Sequence, residues 1–243
     1  MKDVGDSCYG RYITAIRKKY HSQVFTGFAK ALNKYGMLKE GDTVLVYMDG
    51  TAESVLLGML FRELIRHGKF EFKVRWFADK SFEGTEGHNL LKEGDVTVEF
   101  LGYEEAVSDT EGTVRIISLE CYEEVIAHFL KGFLEDGRVD AIMPFEKKSD
   151  NVYLIRPFYN VRRSDIERVY SYSEADFLKM RVLSEDMIRT MNLIEEFRKG
   201  NKFVETNIFA GMENVNKNTL TGYIDDEGHH SFLEWYDKIV TAR

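Results

Sequence analysis

The stretch VLVYMDGTAESVLLGML, Val44 to Leu60, joins two apolar runs through a short polar turn. The first run stops at Asp49-Gly50-Thr51 and the second begins at Ser54. A buried strand feeding a helix has this pattern, and the first backbone amides of such a helix lack intrahelical partners and face a cap or an anionic ligand. The turn carries one glycine, no lysine and two carboxylates, Asp49 and Glu53. Two readings of it stand: a helix start capped by its own carboxylates, or a weakened or altered ligand site.

Outward from that turn, strands and helices alternate. Val24, Phe25, Phe28, Ala31, Leu32 and Tyr35 share one helical face, and Gly36 suits the end of that helix. Residues 54–67 read as a helix lying flat on a sheet. FEFKVRWFA alternates with period two and is the next strand; DVTVEFLGY and GTVRIIS supply two more. CYEEVIAHFLKGFLEDG places Val125, Ile126, Phe129, Leu130 and Phe133 on one face of a long helix, and VDAIMPF reads as a fifth strand. This order predicts an α/β fold: an open, mostly parallel five-stranded sheet with helices on both faces. Ligands of such sheets bind beyond the carboxyl ends of the strands, near a reversal in strand order. Asp49–Ser54, Phe77–Asp79 and Ser118–Glu120 lie at such ends.

The tail differs. NVYLIRP is a strand stopped by Pro157, Ser164 and Glu167 form a Ser-x-x-Glu capping box, and only helices follow: SEDMIRTMNLIEEFRKG, KFVETNIFAGMENV and SFLEWYDKIV. The expected organisation is an α/β domain over 1–160, beginning with a basic helix, and a helical C-terminal region over 161–243 packed on it.

Composition narrows the function classes. Hydrophobic residues make up 44% of the 243, enough for a core. No apolar run approaches the roughly 20 residues of a membrane span, and MKDVGDSCYG lacks the apolar stretch of a secretory signal, so the expectation is a cytoplasmic protein without a membrane partner. Cys8 and Cys121 are too few and too far apart for a disulfide framework or a thiolate zinc site. Residues 1–40 hold eight Lys/Arg against three Asp/Glu, a balance of +5 within a chain of net −8. A basic first segment on an acidic body suits an arm for RNA or another polyanion, or a solvated helix face. His229-His230 would be half a metal site without a third ligand. Glu120, Glu123 and Glu124 read as paired acid/base carboxylates or as the polar first turn of a helix.

KYGMLKEGDTVLVYMDGTAESVLLGML resembles the opening of the PP-loop ATP pyrophosphatases, whose SGGxDS motif follows such a strand, and within them the tRNA 2-thiocytidine synthetase (TtcA-like) family. LIRPFYNVRRSDIERV, FLKGFLEDGRVDAIMP and ETNIFAGMENVNKNTL extend the resemblance over roughly Lys18 to Leu220. It implies the adenine nucleotide alpha-hydrolase-like fold, with Asp49, Gly50, Thr51, Glu53, Ser54, Asp79 and Ser118 as nucleotide-binding positions. It also implies ATP, Mg²⁺ and an iron–sulfur cluster as cofactors, and tRNA as partner.

The departures from the family pattern bear on function. Its Ser-Gly-Gly-x-Asp-Ser aligns with Asp49-Gly50-Thr51-Ala52-Glu53-Ser54, where only Gly50 and Ser54 match. Its Gly-His-x-x-Asp-Asp falls on SLECYEE, where Ser118 and Leu119 replace Gly and His, and Glu123 is a lengthened Asp. Its cysteine pairs are absent, so no iron–sulfur cluster is expected. Thr51 adds a Cβ where backbone must approach phosphate, Ala52 lacks the lysine head often found there, and Asp49 puts a carboxylate where a hydroxyl would face phosphate. One such repulsive pair, about 4 Å apart at an effective dielectric near 20, is on the order of 4 kcal/mol, more than the roughly 1.5–3 kcal/mol of a hydrogen bond to a charged group. A bound Mg²⁺ on Asp49 and Glu53 would reverse the sign. ATP and Mg²⁺ are therefore expected to bind weakly.

Two functional readings follow. One is a degenerate PP-loop relative, non-catalytic or weakly nucleotide-binding, that serves RNA, a second copy of itself or an intact homologue. The other is an active ATP- and Mg²⁺-dependent tRNA-modifying enzyme that adenylates a base and then transfers sulfur. No catalytic residue and no metal ligand set is assigned.

Overall fold

A computed structural model describes residues 7–68, 71–234 and 236. The chain forms two compact units, Met1–Leu193 and Ile194–Arg243. The boundary thus falls at 193/194, against 160/161 expected from sequence. Among the described residues no helix is long and apolar enough to cross a membrane.

The first unit is built on a six-stranded sheet of order β3-β2-β1-β4-β6-β5. Its strands are β1 Thr43–Tyr47, β2 Lys73–Ala78, β3 Val98–Phe100, β4 Val114–Ile117, β5 Phe145–Lys147 and β6 Val152–Ile155. All neighbours run parallel except β5, which pairs antiparallel with β6 at the edge. Helices α3 (Ala52–His67), α4 (Glu86–Glu93), α5 (Tyr103–Ser108) and α6 (Tyr122–Lys131) connect the parallel strands. The chain steps outward from β1 through β2 to β3, then crosses back to β4 on the other side of β1. Right-handed connections accordingly place helices on both faces. The reversal between β1 and β4 puts the ends of those two strands at the crevice where ligands of such folds bind.

Alternation along β1 assigns the faces. Leu45 joins Phe77, Val114 and Ile116 in a core with Ala106 of α5. The opposite face carries Val44, Val46 and Met48; there α3 packs, and a Cβ added at Gly58 would come within 3.4 Å of the Met48 sulfur and 3.2 Å of Leu91 on α4. α3 buries eleven of its sixteen residues, including Leu56, Leu57, Leu60 and Phe61. Truncating one such side chain costs about 2–5 kcal/mol. At the start of β1 and β4 a buried pair, Arg115 Nε to Asp42 Oδ2 at 2.7 Å, ties the two strands together.

The described part of the basic first segment, from Ser7 onward, is helical and packed. α1 (Cys8–Thr14), a π-helical turn over Ala15–Lys19 and α2 (Phe25–Lys34) bury Tyr12, Ile16 and Phe28. Arg11 pairs with Glu174 at 2.9 Å, Arg17 with Glu63 at 2.6 Å, and the Lys19 ammonium sits 3.9 Å over the Tyr172 ring.

Several expectations are corrected. The fifth parallel strand is Val152–Ile155, and VDAIMPF contributes only Phe145 to the antiparallel edge strand. Residues 139–144 form no strand; their carbonyls at Ile142, Met143 and Pro144 accept from the Tyr159 hydroxyl, the Arg156 side chain and the Arg156 N–H. α7 (Arg163–Ser173) starts one residue before Ser164, with Arg162 as N-cap, so the Ser164–Glu167 pair lies inside the helix. The Glu123 carboxylate accepts the Arg163 N–H instead, at 2.8 Å. Phe133 is half exposed, on a π-helical turn that follows α6.

α8 (Glu185–Gly200) contains the division between the units. The second unit continues with α9 (Val204–Glu213) and is not wholly helical: β7 Gly222–Asp225 and β8 Gly228–Ser231 form an antiparallel hairpin. His230 stacks on Tyr223 there at 4.7 Å. Of the helix expected over 231–240, Ser231 instead ends β8, and residues 235 and 237–240 lie outside the described residues.

Candidate functional site

β1 ends at Tyr47, and the chain turns through Gly50 at φ +82 into α3. Any side chain there would be strained by the left-handed backbone; space does not forbid it, since an added Cβ would lie 3.8 Å from the Phe82 ring. Thr51, extended at φ −77 and ψ 159, is the N-cap of α3. The strand, the glycine turn and the helix start lie where the sequence predicts them.

Three of the amides around the start of α3 are taken by the chain itself. Thr51 N–H donates to Asp49 Oδ1 at 2.8 Å, and the Thr51 hydroxyl donates to the same oxygen at 2.6 Å. Ser54 N–H donates to Thr51 Oγ1 at 3.3 Å. Ala52 N–H donates to the Lys179 carbonyl at 2.9 Å, where residues 51 and 179 form a parallel β-bridge. Ser54 Oγ donates back to the Thr51 carbonyl at 3.0 Å. Three donors of this helix start are met by an aspartate, a crossing strand-like segment and a capping threonine.

Glu53 points the other way. Its side chain is fully buried, and its carboxylate accepts from Arg163 Nη1 at 2.9 Å and from the Arg181 N–H at 2.9 and 3.1 Å. Arg163 also donates to the Arg181 carbonyl at 2.7 Å. Arg181 Nη2 reaches Glu124 Oε1 at 2.5 Å, and Glu124 Oε2 accepts the Cys121 N–H at 3.0 Å at the head of α6. One buried network thus joins the first turn of α3, the first turn of α6, the start of α7 and the segment 179–181. The buried carboxylates of Glu53 and Glu124 are both paired in it, while Arg181 Nε is buried without a hydrogen-bond partner among the described residues.

The other sequence candidates separate. Asp79 follows β2, adjacent to the Gly50 turn because Tyr47 is in register with Phe77. It accepts the Tyr47 hydroxyl at 2.6 Å, and that bond is the main reason the Tyr47 phenol is pushed up to about 12; Asp49 adds to the rise. Asp49, Asp79 and Tyr47 therefore form one acidic, exposed edge. Ser118 follows β4 and gives its N–H to the Ile155 carbonyl at 2.9 Å. Glu120, Glu123 and Glu124 do structural work: Glu120 faces Arg156 at 3.3 Å, Glu123 holds the head of α7, and Glu124 caps α6. His230 is held by Glu234 at 2.8 Å and Asp225 at 2.9 Å. Among the described residues no cluster of three or more His, Cys, Asp or Glu is placed to hold a metal ion.

Sequence reasoning missed Arg163, Lys179 and Arg181. Arg163 stands in the quoted NVRRSD run, but nothing in KMRVL marks Lys179 or Arg181 as partners of a turn more than a hundred residues earlier.

No family model matches the chain, and no curated protein matches it. Solved structures do match. One is the U34-tRNA thiolase NcsA from Methanococcus maripaludis with its [4Fe-4S] cluster, at a TM-score of 0.57 and 11% identity, over 79% of this chain and 78% of that one. The likeness is one of fold. An iron–sulfur cluster is held by a set of cysteine thiolates, and this chain has two cysteines. Cys8 lies on α1, and Cys121 is buried at the head of α6, where desolvation pushes its thiol well above the ordinary range. These residues do not fit a cluster. At the turn the amides of Thr51, Ala52 and Ser54 are bonded within the chain, and Asp49 beside them is exposed.

Proposed function

We propose that this chain is a relative of the tRNA-modifying PP-loop proteins that keeps their scaffold and has lost their pyrophosphate cradle. It acts as a non-catalytic or weakly nucleotide-binding cytoplasmic protein, with RNA, a second copy of itself or an intact homologue as partner. The observation that supports this reading is the self-closure of the Gly50 turn. An incoming phosphate would have to displace Asp49 from Thr51 and the Lys179 carbonyl from Ala52, then accept a carboxylate as neighbour. Loss of cluster chemistry belongs to the same reading, because two thiols on separate helices cannot surround a cluster.

The second reading, an active ATP- and Mg²⁺-dependent enzyme, is favoured by Asp49 and Asp79 lying at neighbouring strand ends, since such carboxylates suit a hard cation. Incubation with ATP, Mg²⁺ and bulk tRNA separates the two. The proposal expects pyrophosphate release no faster than the background without protein. Release that depends on protein and on tRNA would establish the second reading.

A further inference from the structure

The far end of α3 carries a different kind of site. A cleft of about 290 Å³ is lined by Arg17, His21, Phe25, Glu63, Arg66 and His67. One wall comes from the π-helical turn and the start of α2, the other from the last turn of α3. At a rise of about 1.5 Å per residue, the sixteen residues of α3 put this cleft about 24 Å along the helix from the Gly50 turn.

Its chemistry is that of a small anion with a flat ring. Glu63 is buried at the centre: Oε2 accepts from Arg17 Nε at 2.9 Å and Nη2 at 2.6 Å, and Oε1 lies 3.0 Å from His67 Nε2. Burial alone would raise its pKa, but the hydrogen bonds from Arg17 and His67 outweigh that and hold it below its ordinary value. Glu63 therefore fixes the cations in place without cancelling them all. Arg66 is half exposed and approaches Glu63 only at 4.0 Å, beyond hydrogen-bond reach, so its donors are not spent on Glu63. His21 stacks on Phe25 with centroids 5.2 Å apart and planes 28° from parallel, giving an aromatic wall beside the guanidinium. The net charge of −8 opposes an anion, so attraction to the cleft rests on Arg17 and Arg66 standing against the single carboxylate of Glu63. The C-terminal dipole of α3 opposes an anion and favours the cations, so any binding must come from the arginines.

We propose that this cleft binds a nucleotide unit, with the phosphate on Arg66 and Arg17 and the base against the His21–Phe25 pair. Its volume lies at the lower end of small-ligand sites, which suits a single nucleotide better than a triphosphate with its metal. The unit comes either from a free mononucleotide or from a single-stranded RNA, where bases stack on aromatic side chains and Arg holds the backbone. This inference does not depend on the state of the Gly50 turn.

The test is an NMR titration of the full chain that follows the ring protons of His21 and His67, assigned with His→Gln variants. The probes are AMP, inorganic phosphate and a short oligouridylate. AMP is expected to shift both signals saturably and more tightly than inorganic phosphate, and R66E is expected to weaken AMP by about tenfold or more, as loss of a charge-assisted contact does. R66Q, with thermal melting as a control for folding, gives the same direction with a smaller effect. An oligouridylate tighter than AMP assigns the ligand to an RNA strand, and the reverse order assigns it to a free nucleotide. Absence of saturable shifts, equal affinity for phosphate and AMP, or unchanged AMP affinity in both Arg66 variants would overturn the proposal. The histidine signals report the cleft alone, so its failure is distinct from any result at the turn.

Discussion

Asp49 Oδ1 accepts two hydrogen bonds from Thr51, from the backbone N–H at 2.8 Å and from the hydroxyl at 2.6 Å. The first donor that a phosphate would seek at this helix start is bonded to a carboxylate two residues earlier. That pair sets the character of the turn, since an anion approaching α3 meets a formal negative charge before it meets a free amide.

Glu53 should behave as a structural residue. Glu53→Ala leaves Arg163 Nη1 and the Arg181 N–H without their acceptor, while Arg163 Nη2 keeps the Arg181 carbonyl. Breaking a buried pair from one side costs about 3–5 kcal/mol. Urea unfolding should show the midpoint falling by a corresponding amount, with Glu53→Gln intermediate. A loss below about 1 kcal/mol, the range of an exposed pair, would mean that the network is not formed. If Glu53 were instead a metal ligand, Mg²⁺ would raise the wild-type melting temperature; no such rise is expected.

Tyr47 should titrate late. Its phenol is pushed up to about 12, first by the hydrogen bond to Asp79 and then by burial. The folded value lies above the ordinary 10.0, so its contribution to stability is present below about pH 10 and lost as the pH rises through about 12. Phenolate absorbance of wild type minus Tyr47→Phe isolates this group. Asp79→Asn should bring its midpoint down; an unchanged midpoint would separate Tyr47 from Asp79.

His230 should titrate above its ordinary value of 6.5, raised by Glu234 and then by Asp225. Stability from this triad is present below pH 6.5 and lost as the pH rises through the folded value. The imidazole C–H resonance provides the curve, and Glu234→Gln should lower its midpoint. A wild-type midpoint at or below 6.5 would show that the hairpin's ion triad does not hold in solution.

What was legible in the sequence were features carried by local pattern. The apolar run to Met48, the single glycine and the apolar run from Val55 fix a strand, a turn and a helix through periodicity and backbone chemistry alone. The order of strand-helix units then fixes a mainly parallel sheet. VDAIMPF was misread because hydrophobicity cannot show whether a neighbouring strand offers partners; the parallel position went to NVYLI. The hairpin over 222–231 escaped because its strands are polar, though the Asp225-Asp226-Glu227-Gly228 turn was a usable signal. The partners of Glu53 could not be read at all. Arg163 and Arg181 lie 110 and 128 residues away, and only the fold brings them to the first turn of α3.

Calorimetric titration of ATP, with and without Mg²⁺, into the wild type and Asp49→Ser tests the central claim most directly. Removing the carboxylate frees the Thr51 amide and deletes a repulsion on the order of 4 kcal/mol at contact distance. Asp49→Ser should therefore gain ATP affinity, by more than Ala52→Lys gains, and both gains should shrink as salt screens the charges. The wild type should bind weakly in either condition. Micromolar ATP binding by the wild type that Asp49→Ser leaves unchanged or weakens would contradict the account and make Asp49 a working part of the site.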